Sequence, residues 1–191
     1  MSTTAASGSG AMSQEQAQFL LHTIFLPSIR GEMAITRRVI EAIPHDQADF
    51  RPDSVGRTAI DLAWHIVTAE HRFHEAVASG EFNLTPSPRP DSVRNSADIA
   101  AWYSETFARD FQRLEKLSGE QLTKVIDFRG LLKFPAVAYL QVGMNHSIHH
   151  RGQLSTYLRR MGAKVPSIYG ESYDSAEARK AGQASNATTA P

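Results

Sequence analysis

Between residues 13 and 173 the apolar positions recur every three or four residues rather than every second one, which is the helical period. The first such stretch covers residues 14–43. Ser13 and Gln16 stand at its start in the spacing of a capping box. Pro27 and Gly31 interrupt it, so a kink or a late helix start is expected there, and Pro44 ends it. Residues 45–57 are rich in turn formers and read as a loop. A second helix is expected over 59–79, with Thr58 and Asp61 at its start and Gly80 just past its end. Residues 81–95 contain three prolines and read as a long loop. A third helix is expected over about 97–116, capped by Asn95 or Ser96. Residues 123–128 have the look of a short extended piece with no visible strand partner. A fourth helix is expected from Phe134, with Pro135 in its first turn, to Met161, with Gly162 following. Four long amphipathic helices pack most naturally as an antiparallel four-helix bundle, an all-α fold.

Composition narrows the function classes. The 191 residues are 41% hydrophobic, enough for one sizeable core and one domain. Lys+Arg and Asp+Glu both number 20, which argues against a nucleic-acid binder relying on a basic surface. Residues 1–12 are small and polar and read as a disordered leader, not a secretory signal. Residues 174–191 are rich in Ala, Ser, Thr and Asn, lack large apolar side chains and are expected to be a disordered tail. No apolar run approaches the roughly 20 residues of a membrane span, so a cytoplasmic protein without a membrane partner is expected. The chain has no cysteine and eight histidines. Thiolate metal sites and a cysteine nucleophile are therefore excluded, and a transition metal would need imidazole and carboxylate ligands.

The histidines do not scatter evenly. At about 100° per residue, His146 and His150 fall on one stripe of the fourth helix with Tyr139, Val142, Gln153 and Tyr157. The outward side of that helix reads as Ser147, Arg151 and Arg159, with His149 on the flank. On the second helix His65 borders the apolar arc of Leu62, Ile66, Ala69 and Phe73, whereas His71 and His74 point elsewhere and read as solvated surface histidines. His22 and His45 have no nameable partner. One histidine of the second helix and a pair from the fourth can thus look into the same interior. Buried imidazoles need partners. An i, i+4 pair is satisfied as well by hydrogen bonds to neighbouring side chains as by one metal ion. If a metal is bound, three imidazoles leave its fourth position open, the arrangement of catalytic rather than structural sites. Zinc is the first expectation for the divalent ion, with nickel, iron or copper as alternatives. Gln153 and Asp61 are candidates to orient the ligands. Each reads more simply, Gln153 as an inward polar neighbour and Asp61 as a first-turn acid.

These residues carry a resemblance. Residues 60–70 (IDLAWHIVTAE) and 145–161 (NHSIHHRGQLSTYLRRM), with the loop 43–52 (IPHDQADFRP), resemble the DinB family of DinB/YfiT-like metalloenzymes. The likeness covers about residues 18–170. It implies an up-down-down-up four-helix bundle, often a homodimer. It also implies a divalent metal held by His65, His146 and His150. Some relatives look like transferases or isomerases that use a low-molecular-weight thiol. The reading that follows is a metal-dependent enzyme acting on a small molecule, with an S-transferase using an external thiol put first. A metal-dependent hydrolase and a non-catalytic metal- or ligand-binding bundle are the alternatives. No catalytic residue beyond the three ligands is identified.

Overall fold

The structure is a computed structural model that describes residues 11–188, with side chains through Gln183. The first helical stretch is three segments in line: α1 (Gln14–Phe19), a π-helical turn (Leu20–Phe25) and α2 (Leu26–Glu41). Ser13 and Gln16 form the full capping box. The π turn is the form taken by the interruption expected at Pro27. Proline has no N–H to donate and its ring crowds the carbonyl four residues back. The backbone widens ahead of it, and the N–H of Leu26 donates to the carbonyl of Leu21, five residues back.

A 3₁₀ turn (His45–Gln47) and a loop lead to α3 (Ala59–Ser79), whose bounds match the expected ones. Thr58 Oγ1 accepts from the Asp61 N–H at 3.1 Å, and Gly80 closes the helix in the left-handed region at φ 79°. The proline-rich loop follows, then α4 (Ser96–Leu114), capped by Asn95, and the short α5 (Gly119–Thr123).

Residues 125–135 differ from expectation. They form an antiparallel hairpin of β1 (Val125–Phe128) and β2 (Leu132–Pro135), with Phe128 opposite Leu132 and Val125 opposite Pro135. Its tip places Arg129 and Gly130 at φ 59° and 72°, the successive left-handed pair of a type I′ turn, and Asp127 Oδ1 accepts from the Gly130 N–H. The strand that looked partnerless pairs with residues that had been expected to begin the last helix. That helix, α6, accordingly runs Ala138–Arg160. The Tyr139 hydroxyl lies 3.0 Å from the Ile126 carbonyl and 2.9 Å from that of Leu132, and so pins the hairpin to α6.

The expected tail also differs: Tyr173–Thr188 is helical (α7). Its first turn is tied down by Asp174, which bridges Arg159 at 2.8 Å and accepts from the Val165 N–H. Most of the expected leader, residues 1–10, lies outside the described residues.

The domain is thus mostly helical with one small sheet. Each of α2, α3, α4 and α6 packs on two of the others, α3 on α4 and α6, and α2 on the same two. Leu62, Ile66, Ile99, Leu114, Tyr139 and Leu154 are fully buried among them. The α3–α6 contact is close at Gly143, where a Cβ would lie 2.8 Å from Phe73 Cβ. No helix among the described residues is long and apolar enough to cross a membrane.

Two polar groups run through this interior. Glu70, 5% exposed, accepts from the Tyr103 hydroxyl at 2.7 Å and from Ser147 Oγ at 2.8 Å. Arg151, 1% exposed, pairs with Glu32 and also donates to Thr36 Oγ1 and the Tyr169 hydroxyl. The expectation that Ser147 and Arg151 face outward is therefore corrected. α6 lies between α3 and α2, so its second side is covered as well, and polar side chains reach their partners there.

Candidate metal centre

His65 comes from α3, and His146 and His150 from one face of α6, one turn apart. The close approach at Gly143 lets the two helices bring these side chains together. Ring centroids are 4.9 Å apart for His65 and His146, 4.7 Å for His65 and His150, and 4.5 Å for His146 and His150. One ring nitrogen of each lies within 4.8 Å of the other two. Phe73 packs beside His146, with ring centroids 6.1 Å apart, and supplies an apolar wall.

The cluster favours neutral imidazoles. Burial pushes His65 down to about 4, helped by the positive charge of Arg57 and by its histidine neighbours. Burial also pushes His146 to about 4, helped by the neighbouring His150 and His149 and by Arg57. His150 is lowered by burial too, against an upward pull from its bond to Gln153. Neutral imidazole is the form that ligates metal ions.

Nδ1 of His150 lies 3.0 Å from Oε1 of Gln153, so this nitrogen carries the proton, and the lone pair of Nε2 faces Nε2 of His65 at 3.3 Å. Nδ1 of His146 is buried with no hydrogen-bond partner among the described residues. A buried polar atom left unpaired costs about 1–3 kcal/mol. Three neutral nitrogen donors at this spacing, with one ring nitrogen unsatisfied by the protein, fit a divalent cation better than a closed hydrogen-bond network.

The remaining candidates separate. Gln153 does more than sit inward, since it orients His150. Asp61 is exposed, lies 3.8 Å from Arg89 and makes no bond to His65, as a first-turn acid should. His149 is exposed on the flank, its ring 4.8 Å from that of His150. His22 and His45 are exposed. His71 and His74 are not solvated surface histidines. Their Nδ1 atoms lie 2.7 and 3.6 Å from Oδ2 of buried Asp110, and His74 is only 5% exposed. The sequence signal was Asp110, an acid among the apolar positions of α4. Arg57 was missed because its influence on the cluster comes from a loop.

A mostly helical domain with three uncharged histidines meeting between two of its helices defines a recognisable class. The chain belongs to the DinB family, which it matches over residues 12–184. It is 30% identical to the uncharacterized protein YjoA of Bacillus subtilis over 130 residues, 67% of this chain and 82% of that protein. It is 27% identical over 152 residues to YrdA of the same organism, covering 76% and 86%. The crystal structure of the DinB-like YjoA superposes with a TM-score of 0.63 at 27% identity, covering 78% of this chain and 99% of that one. A DinB-like protein from Bacillus cereus superposes at 0.65 with 26% identity, covering 76% and 95%.

Proposed function

We propose that the protein binds one divalent metal ion through His65, His146 and His150, zinc first and nickel, iron or copper as alternatives, and uses it to transform a small molecule. The observation that carries this reading is the convergence of three neutral ring nitrogens within 4.8 Å of one another. A divalent ion held there supplies Lewis-acid polarisation and lowers the pKa of a bound water or thiol. Gln153 keeps His150 in the ligating tautomer. Phe73 excludes water from one side. The charge of Arg57 acts on all three histidines and favours an anionic ligand at the open side of the cluster. A low-molecular-weight thiol, ionised as thiolate, fits that field. The chain has no cysteine, so the sulfur of an S-transfer arrives with the cosubstrate.

The surrounding reading is an antiparallel four-helix bundle of α2, α3, α4 and α6 in up-down-down-up order, supported by the mutual packing of these four. A cytoplasmic homodimer is proposed with it, without a nucleic-acid partner. Phe19 and Ile24, large apolar side chains 60% and 43% exposed along one helical stretch, offer apolar surface to a second copy.

Elemental analysis of protein purified without a polyhistidine tag tests the site. The expected result is one divalent ion per chain, lost on His65→Ala, His146→Ala or His150→Ala. A metal-free preparation that also takes up no added zinc overturns it. Metal-loaded protein is then incubated with small thiols and model electrophiles. Metal-dependent thiol consumption is expected. Turnover without thiol would replace the transferase by a hydrolase, and stoichiometric metal with no turnover would replace both by a binding module.

A further inference from the structure

A second set of ligand atoms lies on another face of α3. His71 and Glu75 stand one turn apart there, Asp110 reaches across from α4, and one atom of each lies within 4.8 Å of the other two. The Asp110 carboxylate is 4% exposed, whereas the His71 and Glu75 side chains are 35% and 36% exposed. His71 and Glu75 both line a cavity of about 690 Å³ between α3 and the loop that follows it, together with Thr68, Arg72 and Ser87. The three-histidine cluster is not part of its lining.

We propose that His71, Glu75 and Asp110 form a second divalent-cation site, open to this cavity and independent of the three-histidine centre. One imidazole and two carboxylates give two negative charges, which match a divalent ion, and the mixed nitrogen and oxygen set suits zinc or manganese. Ligands one helical turn apart on α3 share a face, and the third arrives from the helix packed against it. Asp110 Oδ2 lies 2.7 Å from His71 Nδ1, and His74 stands behind it in the core with Nδ1 3.6 Å from the same oxygen, beyond hydrogen-bond reach. The present counter-charge at Glu75 is Arg113, in direct ion-pair contact. Glu75 can release this arginine, since the guanidinium is half-exposed and reaches water. Arg113 is therefore a competitor of the cation, and its replacement separates a metal site, where binding tightens, from a purely structural ion-pair cluster.

The test is calorimetric titration with zinc of the His65→Ala/His146→Ala double variant, which removes the first centre. One remaining equivalent of zinc is expected. Adding Glu75→Gln or His71→Ala should weaken it by about tenfold or more, and adding Arg113→Gln should tighten it. In the otherwise unmodified chain, Glu75→Gln should weaken one of two zinc equivalents by about tenfold or more and leave the other unchanged, so the test does not depend on the double variant folding. No zinc bound by a folded double variant, binding unchanged by Glu75→Gln, or binding weakened by Arg113→Gln would each overturn the proposal. Failure of the three-histidine centre shows separately, as one equivalent in the unmodified chain that is insensitive to His146→Ala.

Discussion

Oε1 of Gln153 lies 3.0 Å from Nδ1 of His150, and the amide nitrogen of the same side chain donates to the Tyr157 hydroxyl at 3.2 Å. With the carbonyl end of the amide towards the imidazole, the proton sits on Nδ1 and Nε2 of His150 is left to ligate, so the ligating nitrogen is set by a residue outside the ligand set. Gln153→Ala should leave the fold intact and lower zinc affinity by about 10- to 100-fold, as removal of an orienting partner does elsewhere. Gln153→Glu keeps an acceptor at the same reach and should hold affinity near that of the parent. Competition with a chromogenic chelator measures both. Equal losses in the two variants would mean that the bond to His150 is not what matters.

The cluster's depressed basicity sets a pH dependence with a definite sign. His65 and His146 titrate near 4 in the folded protein and near 6.5 when unfolded. Between these values the unfolded chain binds more protons, so stability of the metal-free protein rises with pH across this window and is lost as pH falls from about 6.5 towards 4. Urea midpoints between pH 4.5 and 7.5 should show this slope, and His146→Ala should flatten it. A midpoint independent of pH in the parent would contradict the neutral-imidazole reading.

How far the sequence revealed this arrangement depends on what each feature rests on. The bounds of α3 follow from Thr58 and Gly80, local caps whose chemistry lies within a few residues, and the meeting of His65 with His146 and His150 follows from periodicity on two helices. The hairpin was hidden because β1 needs β2, and Pro135 at the end of β2 reads equally well as the first turn of a helix. Arg151 and Ser147 were misplaced for a related reason. A helix wheel divides residues into inner and outer faces, but α6 has neighbours on two sides. Glu32 and Glu70, which satisfy these polar side chains, lie 119 and 77 residues away in sequence. His74 was misread on the same grounds, since its partner Asp110 belongs to another helix.

Gly143 is where α6 approaches α3, and the added Cβ of Gly143→Ala would meet Phe73 at 2.8 Å. The backbone there is helical, so the substitution gains helix propensity worth roughly 1 kcal/mol. Overpacking typically costs about 1–3 kcal/mol. Because the obstruction is Phe73 Cβ rather than a flexible side-chain end, the cost should win. A net loss of about 1 kcal/mol in chemical denaturation is expected. The same shift should separate His65 from His146, so zinc affinity should fall more in Gly143→Ala than in an alanine substitution at exposed Gly152. Loss of stability without loss of affinity would uncouple the helix contact from the site.

Arg151 offers a sharper stability test, because its partners are known and nearly all of it is buried. Nη2 lies 2.5 Å from Glu32 Oε2, and Nη1 donates to the Glu32 carbonyl and Thr36 Oγ1 at 3.2 and 3.0 Å. Lysine cannot present this planar fork, so Arg151→Lys should not rescue. Arg151→Met leaves the Glu32 carboxylate without its counter-charge. Removing one member of a buried pair costs about 3–5 kcal/mol, and the lower end applies because Glu32 retains 18% exposure and some water. Replacing both partners with apolar side chains removes the desolvated charge altogether. Arg151→Met/Glu32→Leu should therefore be more stable than Arg151→Met alone, by about 1 kcal/mol or more. Urea unfolding with unchanged m-values measures the cycle. If the double variant is instead the less stable of the two, the wider network through Thr36 and Tyr169, and not the ion pair, is what holds α6 against α2.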